Sequence, residues 1–195
     1  DLACERLWGN KSLEDVFSFA LTGADAAGQR LLLCANRRGT LVPIDSLGNV
    51  GSEIAVEGRF PVTIRSGDLN GDGQTEFCTI SPTLSGGQVV VGLNPDATEA
   101  WNYELPPGVH QQPIEMLTSG ILTPEGQRAW IVAAPDGALH RIAADGTLID
   151  RFNYGAELTG LAMLNTGQEN LLLVSTRSED GGMVEAWAIE AAEGQ

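Results

Sequence analysis

Positive charge is nearly missing from this chain. Its 195 residues hold one lysine and ten arginines against 26 acids, a formal net charge of −15. The electrostatic footprint that nucleic acid or an anionic membrane surface requires is therefore not there. Histidine is scarce as well: His110 and His140 stand apart, with no pair at metal-binding spacing, and no G-x-S-x-G occurs. The three cysteines, Cys4, Cys34 and Cys78, allow at most one internal disulfide and form no C-x-x-C, which excludes the usual zinc and thiol-redox motifs. No apolar run approaches the length of a membrane span, and no helix of the membrane-surface type is visible. What the chain has is acid, 24 glycines and many short apolar runs. The acidity solubilises the chain and concentrates divalent cations near its surface.

The apolar runs recur in order. Gly28-Gln29, Gly73-Gln74, Gly126-Gln127 and Gly167-Gln168 each introduce one, from Leu31, Phe77, Ala129 and Leu171 respectively. A second anchor follows at Gly39, Gly87, Gly137 and Gly182, spaced by 48, 50 and 45 residues, and each of these opens another strand-like segment. A period in this range, built of short strands and turn residues without a convincing amphipathic helix, predicts an all-β fold: a β-propeller with four blade-like repeats of about four strands each. The repeats are expected over 13–58, 59–107, 108–155 and 156–195, the last joined by 1–12, in a single domain or propeller segment spanning 1–195.

One unit shows the pattern. Ile114–Leu117, Trp130–Ala133, Ala138–Ile142 and Leu148–Phe152 read as its four strands, with Asp145-Gly146 as the last hairpin turn. The second strand is apolar on both faces and the fourth is mixed, as expected when inner strands are sandwiched between blades and outer ones meet water. Cys34 and Cys78 fall at nearly the same place on second strands of successive units. Sheets pack about 10 Å apart, beyond the reach of a disulfide, so both are expected as free buried thiols. The fourth unit has no outer strand after Trp187-Ala188-Ile189, while Glu5–Trp8 stands spare at the other end. The spare strand is expected to complete the last blade and close a four-blade ring; a segment of a longer propeller would leave the same two ends.

Asp68-Leu69-Asn70-Gly71-Asp72-Gly73-Gln74-Thr75-Glu76 sets oxygen-bearing side chains at alternate positions around two glycines. Calcium takes six to eight oxygens at short range, and such a loop aims several at one point. The expected ligands of one Ca2+ are the side chains of Asp68, Asn70, Asp72 and Glu76 and the carbonyl of Gln74. The loop is no EF-hand, because Thr79 stands where the twelfth-position Glu would be and the flanks read as strands. An Asx/Gly-rich turn that binds nothing is the alternative. Trp8, Trp101, Trp130 and Trp187 occupy equivalent strand positions, which suits packing between blades; a carbohydrate-stacking surface is the other reading. His140 sits mid-strand as a half-buried structural residue, Arg37-Arg38 as a solvated loop pair or a contact for an acidic partner, and Asn10-Lys11-Ser12 is a glycosylation sequon if a eukaryote secretes the chain.

The stretch from Ser66 to Glu76 resembles the calcium loop of the FG-GAP and VCBS repeat families, found in integrin α-chain propellers and many secreted bacterial proteins. The corresponding loops at 22–28, 119–126 and 164–167 lack the alternating acids, so no metal is carried onto them. Gly92–Trp101 and Gly137–Gly146 are similar to segments of pyrroloquinoline-quinone-type propeller repeats. That family implies adjacent cysteines and a conjugating Trp around its quinone, and here no two cysteines are adjacent. The resemblance implies a secreted or cell-surface protein, extracellular or periplasmic, that presents loops to a protein or polysaccharide without catalysis, nucleic acid or membrane insertion. Asp1 in first position fits a removed signal peptide as well as a trimmed sequence. A structural part of a larger repeat protein, and a domain of a quinoprotein-like or polysaccharide-acting enzyme, are the other readings.

Overall fold

In the computed structural model, which describes residues 6–108, 116–121, 128–166, 169–178 and 181–188, the chain is all β. The first sheet runs β1 (Val16–Leu21), β2 (Leu32–Asn36), β3 (Thr40–Ile44) and β4 (Ile54–Ala55), and the second β5 (Thr63–Gly67), β6 (Glu76–Pro82), β7 (Gln88–Leu93) and β8 (Glu99–Glu104). The third holds β9 (Leu117–Ile121), β10 (Arg128–Ala133), β11 (Ala138–Ile142) and β12 (Leu148–Asn153). β13 (Glu157–Asn165), β14 (Asn170–Ser178) and β15 (Gly181–Ala188) make the fourth, with three strands. Every pair is antiparallel and sequential, so each sheet is a meander.

Three cores lie between the four sheets. Ala20, Leu33 and Ala35 of the first face Ile64, Phe77 and Val91 of the second. Cys78, Ile80 and Val90 face Leu117, Trp130 and Val132, and Ala129, Ile131 and Ala133 face Leu158, Leu161 and Val174. The second and third strands of a blade are thus covered on both sides, whereas β8 and β12 are largely exposed, the gradient that the residue pattern predicts. Cys34 and Cys78 are both buried and unpaired, and burial raises both thiols above the ordinary range.

The expected turns at Gly28-Gln29 and Gly73-Gln74 join first to second strands. Gly126-Gln127, Gly167-Gln168, Cys4, His110 and Ile114-Glu115 lie outside the described residues. Two expectations about the ends are corrected. The first strands touch in series, β1 on β5, β5 on β9 and β9 on β13, but the series does not return to β1, and the four sheets form an open arc rather than a ring. The reason is the angle at each junction: side chains hold neighbouring sheets apart, and four such steps sweep only part of a circle. Nor does the N-terminal segment complete the last blade. Residues 6–8 form no strand, and Trp8 lies instead against Gly48 in the β3–β4 turn.

The turn between β11 and β12 shows how a blade is locked to its neighbour. Gly146 has φ 86°, a left-handed conformation that side chains disfavour. The Trp101 indole of the previous blade lies over it, within 2.7 to 2.8 Å of where a Cβ would stand, and donates its Nε1–H to Ala144 O at 2.7 Å. Gly146→Ala is expected to lose about 1–2 kcal/mol from backbone strain, and more because the methyl displaces Trp101. Gly58 has φ 69° with open space around it. In thermal melts Gly58→Ala should show the strain alone, and an equal loss in both variants would remove the Trp101 contact as a lock.

Candidate metal centre

The acid-rich loop joins β5 to β6 at the tip of the second blade's inner hairpin. It folds by giving its own amides to its own carboxylates. Asp68 Oδ1 accepts from the Gly71 N–H at 2.8 Å and Oδ2 from the Gly73 N–H at 3.2 Å. Asn70 Oδ1 accepts from the Asp72 N–H at 2.9 Å, Asp72 Oδ1 from the Gln74 N–H at 2.7 Å, and Glu76 Oε2 from the Leu69 N–H at 2.8 Å. Gly71 and Gly73 supply the tight turns at φ 77° and 82°.

Of the residues named from the sequence, Asp68, Asp72 and Glu76 come together, with one carboxylate oxygen from each mutually within 4.8 Å. Asn70 sits among them, its Nδ2 donating to Asp72 Oδ2 at 3.2 Å. Gln74 is held by its backbone N–H on Asp72. Oxygen donors of this number and hardness suit calcium better than a soft or tetrahedral metal.

Sequence reasoning missed Arg128. From β10 of the next blade its guanidinium reaches the Asp68 backbone carbonyl and stands 3.5 Å from Asp68 Oδ2. It lies 60 positions away, and no local signal ties it to the loop. A recess of about 260 Å³ opens beside this pair, lined by Asp68, Ser119, Arg128, Met163 and Asn170 among others.

The remaining candidates are structural. Trp130 is fully buried, Trp101 is half-buried on Gly92 and Gly146, and Trp187 packs with Phe152 and Tyr154 at centroid distances of 5.9 and 6.0 Å. The four tryptophans therefore make no common surface. Tyr154 hydrogen-bonds Glu185, and burial followed by that bond pushes its hydroxyl up to about 12. Arg37 pairs with Asp15, and Arg38 with Glu14 and Glu53, so this basic island is answered by the chain's own acids.

No protein-family model and no curated protein matches this chain. Solved structures do. BBS1N, in complex with ARL6DN, superposes on 92% of this chain and 58% of its own with a TM-score of 0.65 at 14% identity. The WD40 domain of coronin from Toxoplasma gondii covers 97% of this chain and 49% of its own, with a TM-score of 0.66 at 14% identity. The designed protein Ika8 gives 89% and 46%, a TM-score of 0.52 and 17% identity. At such identities the likeness shows the fold alone, a β-propeller type, and the chain spans about half the length of the solved structures it matches.

His140 is not half-buried but 1% exposed. Its Nδ1 is 2.9 Å from the Tyr103 hydroxyl, and its Nε2 has no partner among the described residues. Burial lowers its pKa, partly offset by Asp136. The unfolded chain therefore takes up a proton near the ordinary value of about 6.5 that the folded chain refuses. Stability is expected to fall as pH drops from about 6.5 toward the lower folded value, and His140→Gln should flatten this part of the profile. Parallel losses in the two proteins, followed by thermal melting, would show that His140 is not the cause.

Proposed function

We propose that this chain is a calcium-braced propeller module, secreted or at the cell surface, that presents its loops to an extracellular protein or polysaccharide and carries no chemistry of its own. The observation that supports it is the convergence of Asp68, Asp72 and Glu76 in one turn beside the recess that Arg128 lines. An ion there relieves the repulsion of three carboxylates, and the stiffened loop becomes one wall of a binding face. The ligand set is Asp68, Asn70, Asp72, Glu76 and the Gln74 carbonyl, as in the FG-GAP and VCBS loops that this one resembles. A structural segment of a larger propeller is the second reading, favoured by the open arc.

Calcium that binds only the folded chain adds about 2.7 kcal/mol at 100 times its dissociation constant, a rise of roughly 5 to 10 °C in melting temperature for this size. Asp72→Ala should abolish the rise without unfolding the domain, since the Asp72 side chain lies in an exposed loop. Arg128→Gln should lower stability in chelator by under about 1 kcal/mol and enlarge the gain from calcium, because a cation competing for Asp68 has gone. Equal melting in calcium and chelator would reduce the loop to a turn. A glycan and extracellular-protein binding screen separates the readings: a binding module captures a ligand and loses it in chelator, and a spacer captures none.

A further inference from the structure

The two ends of the arc differ from every junction inside it. On β1, Phe17, Phe19 and Leu21 are 52%, 62% and 52% exposed. They point away from the second sheet, because Ala20 and Leu33, on the opposite face, belong to the first core. Further out on the same face Val42 and Ile44 are buried, and nearby the N-terminal segment is held on the β3–β4 turn by Asn10 Nδ2, which donates to Gly48 O at 3.3 Å. The outer half of this face is covered and the inner half bare. At the other end, the face turned away from the third sheet carries Ala162, Leu164, Leu173, Val184 and Ala186, with Val184 73% exposed.

Trp8 indicates what belongs there. Its Cγ, Cδ2 and Cε3 lie 2.9 to 3.1 Å from a Cβ built on Gly48, and the same three atoms of Trp101 lie 2.7 to 2.8 Å from one built on Gly146. The two turns match in φ, 84° and 86°, and in hydrogen bonding, Gly48 N–H to Asp45 O and Gly146 N–H to Ala143 O, both at 3.0 Å. Trp101 belongs to β8, the outer strand of the blade before the turn it covers. Trp8 therefore stands where the outer strand of a blade preceding the first would stand. Meanwhile the fourth sheet ends at β15 without an outer strand among the described residues. One end has a strand to spare and the other lacks one.

We propose that two copies of this chain close head to tail, each laying β13, β14 and β15 on the bare inner half of its partner's first sheet and adding residues 6–10 beside its partner's β15. A second copy is the occupant because it supplies both missing pieces at once. Closure within one copy fails, since β13 does not reach β1. The propellers that this chain overlays are about twice its length, so an arc of this curvature needs about one more like it. The contact is apolar on both sides: large side chains of the first sheet meet small ones of the fourth, as Phe77 meets Ala20 and Ala35, and Leu158 meets Ala129 and Ala133, inside the arc. Each copy carries −15, so salt strengthens the association by screening it.

Light scattering on the eluted chain tests this. The expected mass is twice 20.6 kDa, with the dimer fraction rising with salt. Phe19→Asp and Val184→Asp should each elute as folded monomers, since both side chains are exposed within one copy. Mixing the two variants should restore dimers through the one junction that keeps both native faces. A wild-type monomer at its highest soluble concentration overturns the proposal. So does a dimer that survives both substitutions, or a mixture that stays monomeric, because like-to-like pairing or another surface would then be at work.

Discussion

A four-stranded sheet with apolar side chains on both faces has no stable existence alone in water, and this chain repeats such a sheet at intervals of 45 to 50 residues. Each face must be covered by the next sheet, so the junction between blades rather than the blade is the unit of stability. The three cores here are built alike, one side of each junction rich in small residues and the other in large ones. Because this packing fixes the inner strands, the hairpin tips are released from it. A tip can then be as polar as Asp68–Glu76 without cost to the core.

That tip is not independent of the junction, however. Asp68 answers two amides of its own loop, and its backbone carbonyl and carboxylate also meet Arg128 from the next blade. A cation drawn to Asp68, Asp72 and Glu76 would act on the second and third blades together, since it competes with the guanidinium for one carboxylate. Such an ion would stiffen a junction as well as a hairpin. The recess beside Arg128 is where a change in that competition would be felt.

Alternation and turn chemistry made the strands legible. β10, β11 and β12 begin and end within two residues of the segments expected from sequence, because their periodicity and Asp-Gly turns agree. β9 begins at Leu117, where the expected strand ended, since Ser119 and Gly120 give no apolar signal to extend it. The loop's own residues were legible for the same local reason: Asx side chains at alternate positions write their hydrogen bonds into the sequence. Arg128 was not, because its link to Asp68 depends on the angle between two blades. The open arc was hidden for that reason too. Repeat length counts blades, but the size of the side chains between them sets how far four blades turn.

An arc has ends, and its ends carry unequal faces: aromatic and leucine side chains on β1, alanines and one valine on the fourth sheet. Unequal faces that fit one another make head-to-tail contacts, which either close a ring or run on into a filament. Two physical features of this chain oppose the filament. Trp8 already covers the outer half of the first face, which limits what can dock to a sheet of three strands rather than four. The charge of −15 is added with every copy, so each further unit meets a growing repulsion while the apolar gain per junction stays constant. Closure at the smallest number of copies that completes the circle leaves no bare face and adds no more charge than it must.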